Sequence, residues 1–157
     1  MRAHLVQWVM AGALWLLPAA ANAGPKEDLL ATDKAFSDMS IAKGSHAAFL
    51  AYMTGDARLY DGDHPPIIGK KVASEYYARV EKSDPNYAAT RLEWTPVEAG
   101  VSSDGVLGWT RGTWILNALK SDATPFKLTG YYVTEWRRQT DGTYKFELDI
   151  GGVDRSN

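Results

Sequence analysis

Hydrophobic positions along the chain follow two different periods. Over residues 27–43, Leu29, Leu30, Ala35, Phe36, Met39 and Ile41 recur close to every 3.6 residues among charged and small side chains, and Lys43-Gly44 ends the run. This spacing predicts an amphipathic helix. Ser45 is suited to cap a short second helix carrying Ala48, Phe49, Leu50 and Met53, which Thr54-Gly55 stops. Asp56 to Asp61 reads as a short strand, and Asp61-Gly62-Asp63-His64-Pro65-Pro66 as a loop, because two prolines fix φ and remove backbone donors. Between Gly69 and Lys82, Val72, Ala73, Tyr76, Tyr77 and Val80 return to helical spacing, and Ser83-Asp84-Pro85-Asn86 breaks it. After Tyr87 the period falls to two. Alternating β-branched and aromatic residues predict four antiparallel strands near 90–101, 106–119, 126–138 and 143–150, separated by Ser102-Ser103-Asp104-Gly105, Ser121-Asp122 and Thr140-Asp141-Gly142. Helices first and a meander of long strands last predict an α+β fold with helices covering one face of an antiparallel sheet.

The first 23 residues stand apart. Arg2 supplies a positive start, Leu5 to Leu17 an apolar stretch, and Ala21-Asn22-Ala23 the small-x-small pattern that signal peptidase reads. A spanning helix would need roughly 20 unbroken apolar residues, whereas Gln7 interrupts this run and Pro18 closes it. Residues 1–23 are therefore expected to be a cleaved signal peptide, residues 24–157 one domain, and the product periplasmic or secreted. No later segment is apolar enough to cross a bilayer, so no membrane association is expected after cleavage.

Removing Arg2 leaves 16 basic and 19 acidic side chains, a net charge of about −3, with no basic patch to hold a phosphate backbone. Nucleic acid is not an expected partner. With no cysteine in the chain, disulfides, thiolate chemistry and zinc-cysteine sites are excluded, and stability rests on an aromatic-rich core.

Two stretches carry a family resemblance. Gly55-Asp56-Ala57-Arg58-Leu59-Tyr60-Asp61 with Pro65-Pro66-Ile67-Ile68-Gly69 resembles the D-A-x-x-x-D…G segment of ketosteroid isomerase-like proteins. Gly130 to Gln139, Asp141 to Lys145 and Leu148-Asp149-Ile150-Gly151 are similar to a functionally unassigned branch of the nuclear transport factor 2-like superfamily. The resemblance covers essentially all of residues 24–157. It implies a cone-shaped curved antiparallel sheet wrapped around three N-terminal helices, a pocket at the open end, and a homodimer through the outer sheet face. It also implies that Asp61 stands where ketosteroid isomerases keep a proton-shuttling aspartate, and that Thr134 stands where they keep a donor aspartate. Phe36 and Ser37 fill the region that should supply their donor tyrosine. A threonine is a far weaker acid, so the oxyanion pair is missing.

Strand parity groups Tyr132, Thr134 and Trp136 on one face, and the same comparison turns Glu147 and Asp149 toward the pocket, with Tyr144, Phe146, Leu148 and Ile150 on the alternate face. A buried Asp149 needs a partner, for which Arg111, Tyr132 and Thr134 are candidates. Asp61 and Asp149 are the candidate catalytic residues. Tyr132, Thr134, Trp136, Trp94 and Glu147 are candidate ligand contacts. Each has a structural alternative: Asp61 as a turn cap, Asp149 as an anchor, and Trp94, Trp109, Trp114 and Trp136 as core or interface. His46 lies beside the predicted cap of the second helix. Asp61, Asp63 and His64 make no defined coordination set, and Val72 stands where a calcium loop would end in glutamate, so no metal is expected. A phosphate loop and a nucleophile elbow are both missing, and no cofactor is expected. The favoured expectation is a binder of a small apolar or aromatic molecule. A proton-transferring isomerase, cyclase or lyase is the alternative, and an interaction module with a collapsed cone is the third.

Overall fold

The computed structural model describes residues 24–60 and 65–156. Residues 1–23 and 61–64, and with them the expected signal peptide, Asp61, Asp63 and His64, lie outside the described residues.

Helix α1 spans Pro25–Lys43 and starts with proline at its first position, where the missing N–H is not needed; Glu27 and Asp28 complement the positive end of the dipole. Gly44 alone joins it to α2, Ser45–Tyr52. At φ 89° it closes α1 through an N–H to the Ser40 carbonyl and also takes the N-cap place of α2, in place of the expected Ser45. A left-handed residue at this corner favours glycine. Strand β1, Met53–Tyr60, follows without a break, then the two-residue β2, Ile67–Ile68, and α3, Lys70–Ser83. A 3-10 turn at Tyr87–Ala89 leads into β3 (Arg91–Val101), β4 (Leu107–Leu119), β5 (Pro125–Arg138) and β6 (Tyr144–Val153).

The strands form one curved sheet in the order β2-β1-β6-β5-β4-β3. The meander β3 to β6 is antiparallel as expected, but β1 runs parallel to β6, so the sheet is mixed. Pro96 and the irregularity at Val97 sit on β3, an edge strand, where a lost donor is tolerated. On β4 and β5 the alternation is clean: Thr110, Tyr132, Thr134 and Trp136 face inward and are buried, while Trp109, Arg111, Tyr131 and Val133 face out. Glycines make room for rings across the strands. Gly130 is paired with Trp114, whose ring lies where a Cβ would stand, and Gly112 is paired with Tyr132 in the same way.

Phe36 is the hub of the core. The rings of Trp94, Tyr52, Phe49, Phe146 and Trp136 lie 4.5, 4.8, 4.9, 5.7 and 6.0 Å from it. Edge-on and stacked pairs of this kind contribute about 0.5–1.5 kcal/mol each beyond the area they bury. Three of the five residues in the core stripe of α1, Leu29-Asp33-Phe36-Ser37-Ser40, are nevertheless polar, and they tie the helix to β3. Ser40 Oγ donates to the Leu92 carbonyl (2.6 Å), and the Trp94 N–H donates to Ser37 Oγ (2.9 Å).

Candidate functional site

Between the concave sheet face and the helices lies a partly enclosed cavity of about 390 Å³, within the roughly 300–1,000 Å³ range of small-molecule pockets. Phe36 and Trp94 form its floor, Tyr132, Thr134 and Asp149 one wall, and Trp114, Leu116 and Phe126 the flared end of the sheet. His46, Tyr76, Tyr77, Asp84 and Tyr87 make the helical side. The aromatic side chains line the cone without closing it.

Behind the floor lies a group that the hydrophobic pattern did not reveal. Asp33 is completely buried, and its carboxylate accepts from Trp94 Nε1 and from the Tyr132 hydroxyl, both at 2.7 Å. Thr110 hydrogen-bonds it as well, and Thr110 in turn accepts from Trp136 Nε1 at 2.8 Å. Burial raises the Asp33 pKa, and the hydrogen bonds from Tyr132, Thr110 and Trp94 oppose that rise. The same pairing works on Tyr132. Burial first and the Asp33 charge second push its phenol far above the usual range, so it stays protonated and its hydrogen is committed to Asp33.

Asp149 is half-buried at the cavity wall, where it accepts from the Thr134 hydroxyl at 2.6 Å. Of the expected partners, Tyr132 is taken by Asp33, and Arg111 turns to the outer face to pair with Glu98 at 2.5 Å. Strict alternation along β6 fails. Thr134 pairs with Asp149 and Trp136 with Phe146, so Glu147 is the extra residue of a β-bulge. The bulge brings Tyr144 and Phe146 inside together with Asp149, contrary to the simple period of two, and it turns Glu147 outward to an ion pair with Arg137.

The expected contacts therefore divide. Trp94, Tyr132, Thr134 and Asp149 line the cavity; Trp136 is core, fully buried against Phe36 and Phe146, and Glu147 is outside. Trp114 lines the cavity too, its Nε1 donating to the Tyr131 carbonyl at 3.1 Å, while Trp109 lies on the outer face against Gly100. Phe36 and Ser37, in the region of the missing donor tyrosine, are a floor ring and a buried cap on the Trp94 N–H.

His46 holds a more specific position than its place beside a helix cap implied. Its ring is stacked between Tyr77 (4.1 Å) and Tyr87 (4.3 Å), and Nδ1 lies 2.9 Å from Glu81. Since a carboxylate only accepts, Nδ1 carries the proton and Nε2 the lone pair. Burial pushes the His46 pKa down, against the pull of Glu81, and the ring is neutral at pH 7. Among the described residues, no group of three histidine or carboxylate side chains could hold a metal ion, and no helix is long and apolar enough to cross a membrane.

No protein-family model matches the sequence, and no curated protein does. The fold does have solved counterparts. A ketosteroid isomerase-like protein from Erwinia carotovora atroseptica superposes with a TM-score of 0.63 at 15% identity, over 79% of this chain and 95% of that one. A protein from Catenulispora acidiphila in complex with S-DNPA gives 0.61 at 9% identity, over 82% and 92%. A nuclear transport factor 2-like protein with a cystatin-like fold from Novosphingobium aromaticivorans gives 0.57 at 12%, over 83% and 82%. At these identities the likeness is one of fold: the chain has the nuclear transport factor 2-like, cystatin-like cone.

Proposed function

We propose that this chain is an exported small-molecule-binding protein whose cone holds an apolar or aromatic ligand. The observation that carries the reading is the cavity itself: about 390 Å³ remains open between sheet and helices, and its wall is mainly aromatic and aliphatic. A collapsed cone, as an interaction module would have, leaves no such space. The donors on the wall are spent within the protein, Tyr132 on Asp33 and Thr134 on Asp149. An enolate oxygen would find no preorganised pair there. A neighbour of the same fold is in complex with S-DNPA, which supports the reading. Export rests on the pattern of residues 1–23 and on α1 beginning at Pro25, so that cleavage after Ala23 leaves every described element whole. Assembly as a homodimer through the outer face, where Tyr131, Val133 and Ile150 are exposed, belongs to the same proposal.

The test is a thermal-shift screen of the protein against apolar and aromatic compounds. A ligand at 100 times its dissociation constant stabilises the fold by about 2.7 kcal/mol, a readily visible shift. Absence of any shift across the panel would remove the binding reading.

The half-buried Asp149 favours a second reading: an isomerase, cyclase or lyase in which this carboxylate, or Asp61, moves a proton. Incubating a screening hit with wild type and with Asp149→Asn separates the two. Turnover lost in the variant supports catalysis, whereas binding without turnover supports the carrier.

A further inference from the structure

His46 lines the cavity with a ring whose hydrogen-bonding role is fixed on three sides. Tyr77 and Tyr87 cover its two faces, and Nδ1 donates to Glu81 at 2.9 Å. Glu81 itself stands outside the cavity with half its side chain exposed, which turns the opposite edge of the imidazole, Cε1–Nε2–Cδ2, inward. Among the described residues nothing bonds Nε2. Since no fully buried side-chain nitrogen or oxygen among them lacks a partner, an unbonded Nε2 is an accessible one.

A neutral imidazole that keeps its hydrogen on Nδ1 offers only a lone pair at Nε2. Burial holds the ring neutral against the pull of Glu81. The other polar groups nearby are less particular. Ser45, Tyr87 and Thr90 also bring hydroxyls to the lining, and a hydroxyl can turn to donate or to accept. Tyr87 takes the His46 backbone N–H at 3.4 Å and lies 3.5 Å from Ser45 Oγ. Nε2 has no such freedom: it accepts or stays unbonded.

A ligand that displaces water from Nε2 without replacing its hydrogen bond loses affinity. An anion brings no donor, and the described lining residues include neither lysine nor arginine to compensate its charge. A charged donor would itself have to leave water. A neutral O–H meets the requirement without either cost.

We infer that His46 is a specificity-determining residue of this cavity, its Nε2 accepting the hydrogen of a neutral hydroxyl, so that the ligand class is an apolar or aromatic alcohol or phenol. Glu81 is the positioning residue that fixes the tautomer. This assignment rests on the cavity being a ligand site, as proposed above, and names the group by which one apolar molecule is told from another.

Matched probes separate the two claims. Naphthol, butylphenol and adamantanol are presented to the purified protein beside their methyl ethers and fluoro analogues, which keep the body and lose the donor, and binding is read by calorimetry and thermal shift at pH 7. The expected result is that at least one hydroxyl compound binds about tenfold more tightly than both of its analogues, the effect of one acceptor left unbonded. His46→Phe, which keeps a ring between the two tyrosines, should erase that difference, and Glu81→Leu should shrink it by freeing the tautomer. Nitrogen NMR of protein labelled at histidine, with His46 assigned through His64→Gln, reads the same atom in wild type and stands even if those variants fail to fold. Nε2 should be the unprotonated nitrogen in the free protein, and its resonance should move with the hydroxyl compound and not with the fluoro analogue. Analogues that bind as tightly as their hydroxyl compounds, or an Nε2 resonance that stays put, would overturn the inference while leaving the cavity a ligand site. Failure of every probe to bind would overturn both.

Discussion

Removing Asp33 is the sharpest test of how the inner wall is held. In Asp33→Leu the side chain keeps a similar size, but Trp94 Nε1, the Tyr132 hydroxyl and Thr110 lose their common acceptor. A buried donor left without a partner costs about 1–3 kcal/mol. The two hydroxyls can turn, Tyr132 toward the cavity it lines, whereas the indole N–H is fixed in its ring plane. Against this, the variant no longer holds a carboxylate in a place where burial disfavours its charge. The net loss should be about 2–4 kcal/mol. Asp33→Asn should lose only about 1 kcal/mol, because its oxygen still serves Trp94 and its amide can donate to a turned Tyr132 hydroxyl. Urea unfolding followed by tryptophan fluorescence measures both. The sign with pH is set by the direction of the shift: the folded pKa of Asp33 lies above 3.8, so folded protein takes up this proton more readily than unfolded chain. Stability from this group is full below about pH 3.8 and is lost as pH rises through the folded pKa. Wild type should therefore exceed Asp33→Asn by more at pH 4 than at pH 7. An Asp33→Leu variant within about 0.5 kcal/mol of wild type, less than the cost of one orphaned donor, or a pH-independent gap to Asp33→Asn, would refute the account.

Three further outcomes can be checked directly. Gly112→Ala should cost about 2 kcal/mol or more by overpacking, since its Cβ would stand 2.1 Å from the Thr95 carbonyl oxygen; Gly55→Ala, with nothing within 4 Å, should be near neutral, and thermal unfolding of the pair gives the comparison. His46 has a folded pKa below 6.5, so wild type should lose stability as pH falls from about 6.5 through that value, and His46→Gln should not; parallel curves from pH 7.5 to 5 would exclude a buried neutral imidazole. Expressed as residues 1–157 in a secreting bacterial host, the exported product should have the mass of a chain beginning at Gly24, and material still beginning at Met1 would count against cleavage after Ala23.

Much of this architecture was legible because long periodic segments advertise themselves. The strands near 106–119 and 126–138 are Leu107–Leu119 and Pro125–Arg138, and the third helix, expected at 69–82, is Lys70–Ser83. Ile67–Ile68 and the turn at Tyr87–Ala89 are too short to show any period. The parallel pairing of β1 with β6 joins segments about ninety residues apart, and nothing local announces it. Asp33 was missed for a different reason: polar residues on the core stripe of α1 dilute the amphipathic signal. Its spacing of four from Leu29 and three from Phe36 was nevertheless a usable clue. The bulge at Glu147 is the case in which a correct rule gives a wrong face. One extra residue reverses the parity of β6, so Asp149 reaches the cavity in the company of Phe146, and Glu147 does not.

Two aspartates on either side of the wall have opposite uses. Asp33 lies behind the wall, and by collecting donors from Trp94, Tyr132 and Thr110 it holds a β3 ring and a β5 ring in one orientation relative to α1. Asp149 lies in front of the wall, with Thr134 fixing its angle. On the helical side, Tyr77, Tyr87 and Glu81 do the same for His46. Side chains already immobilised lose little further freedom when a ligand arrives, and each rotamer-rich side chain left to be ordered would subtract about 0.5–1.5 kcal/mol from affinity. On the proposed binding reading, such a cavity would select by shape in its resting form. Two of the rings that line it, Trp94 and Tyr132, are oriented by a carboxylate buried behind them.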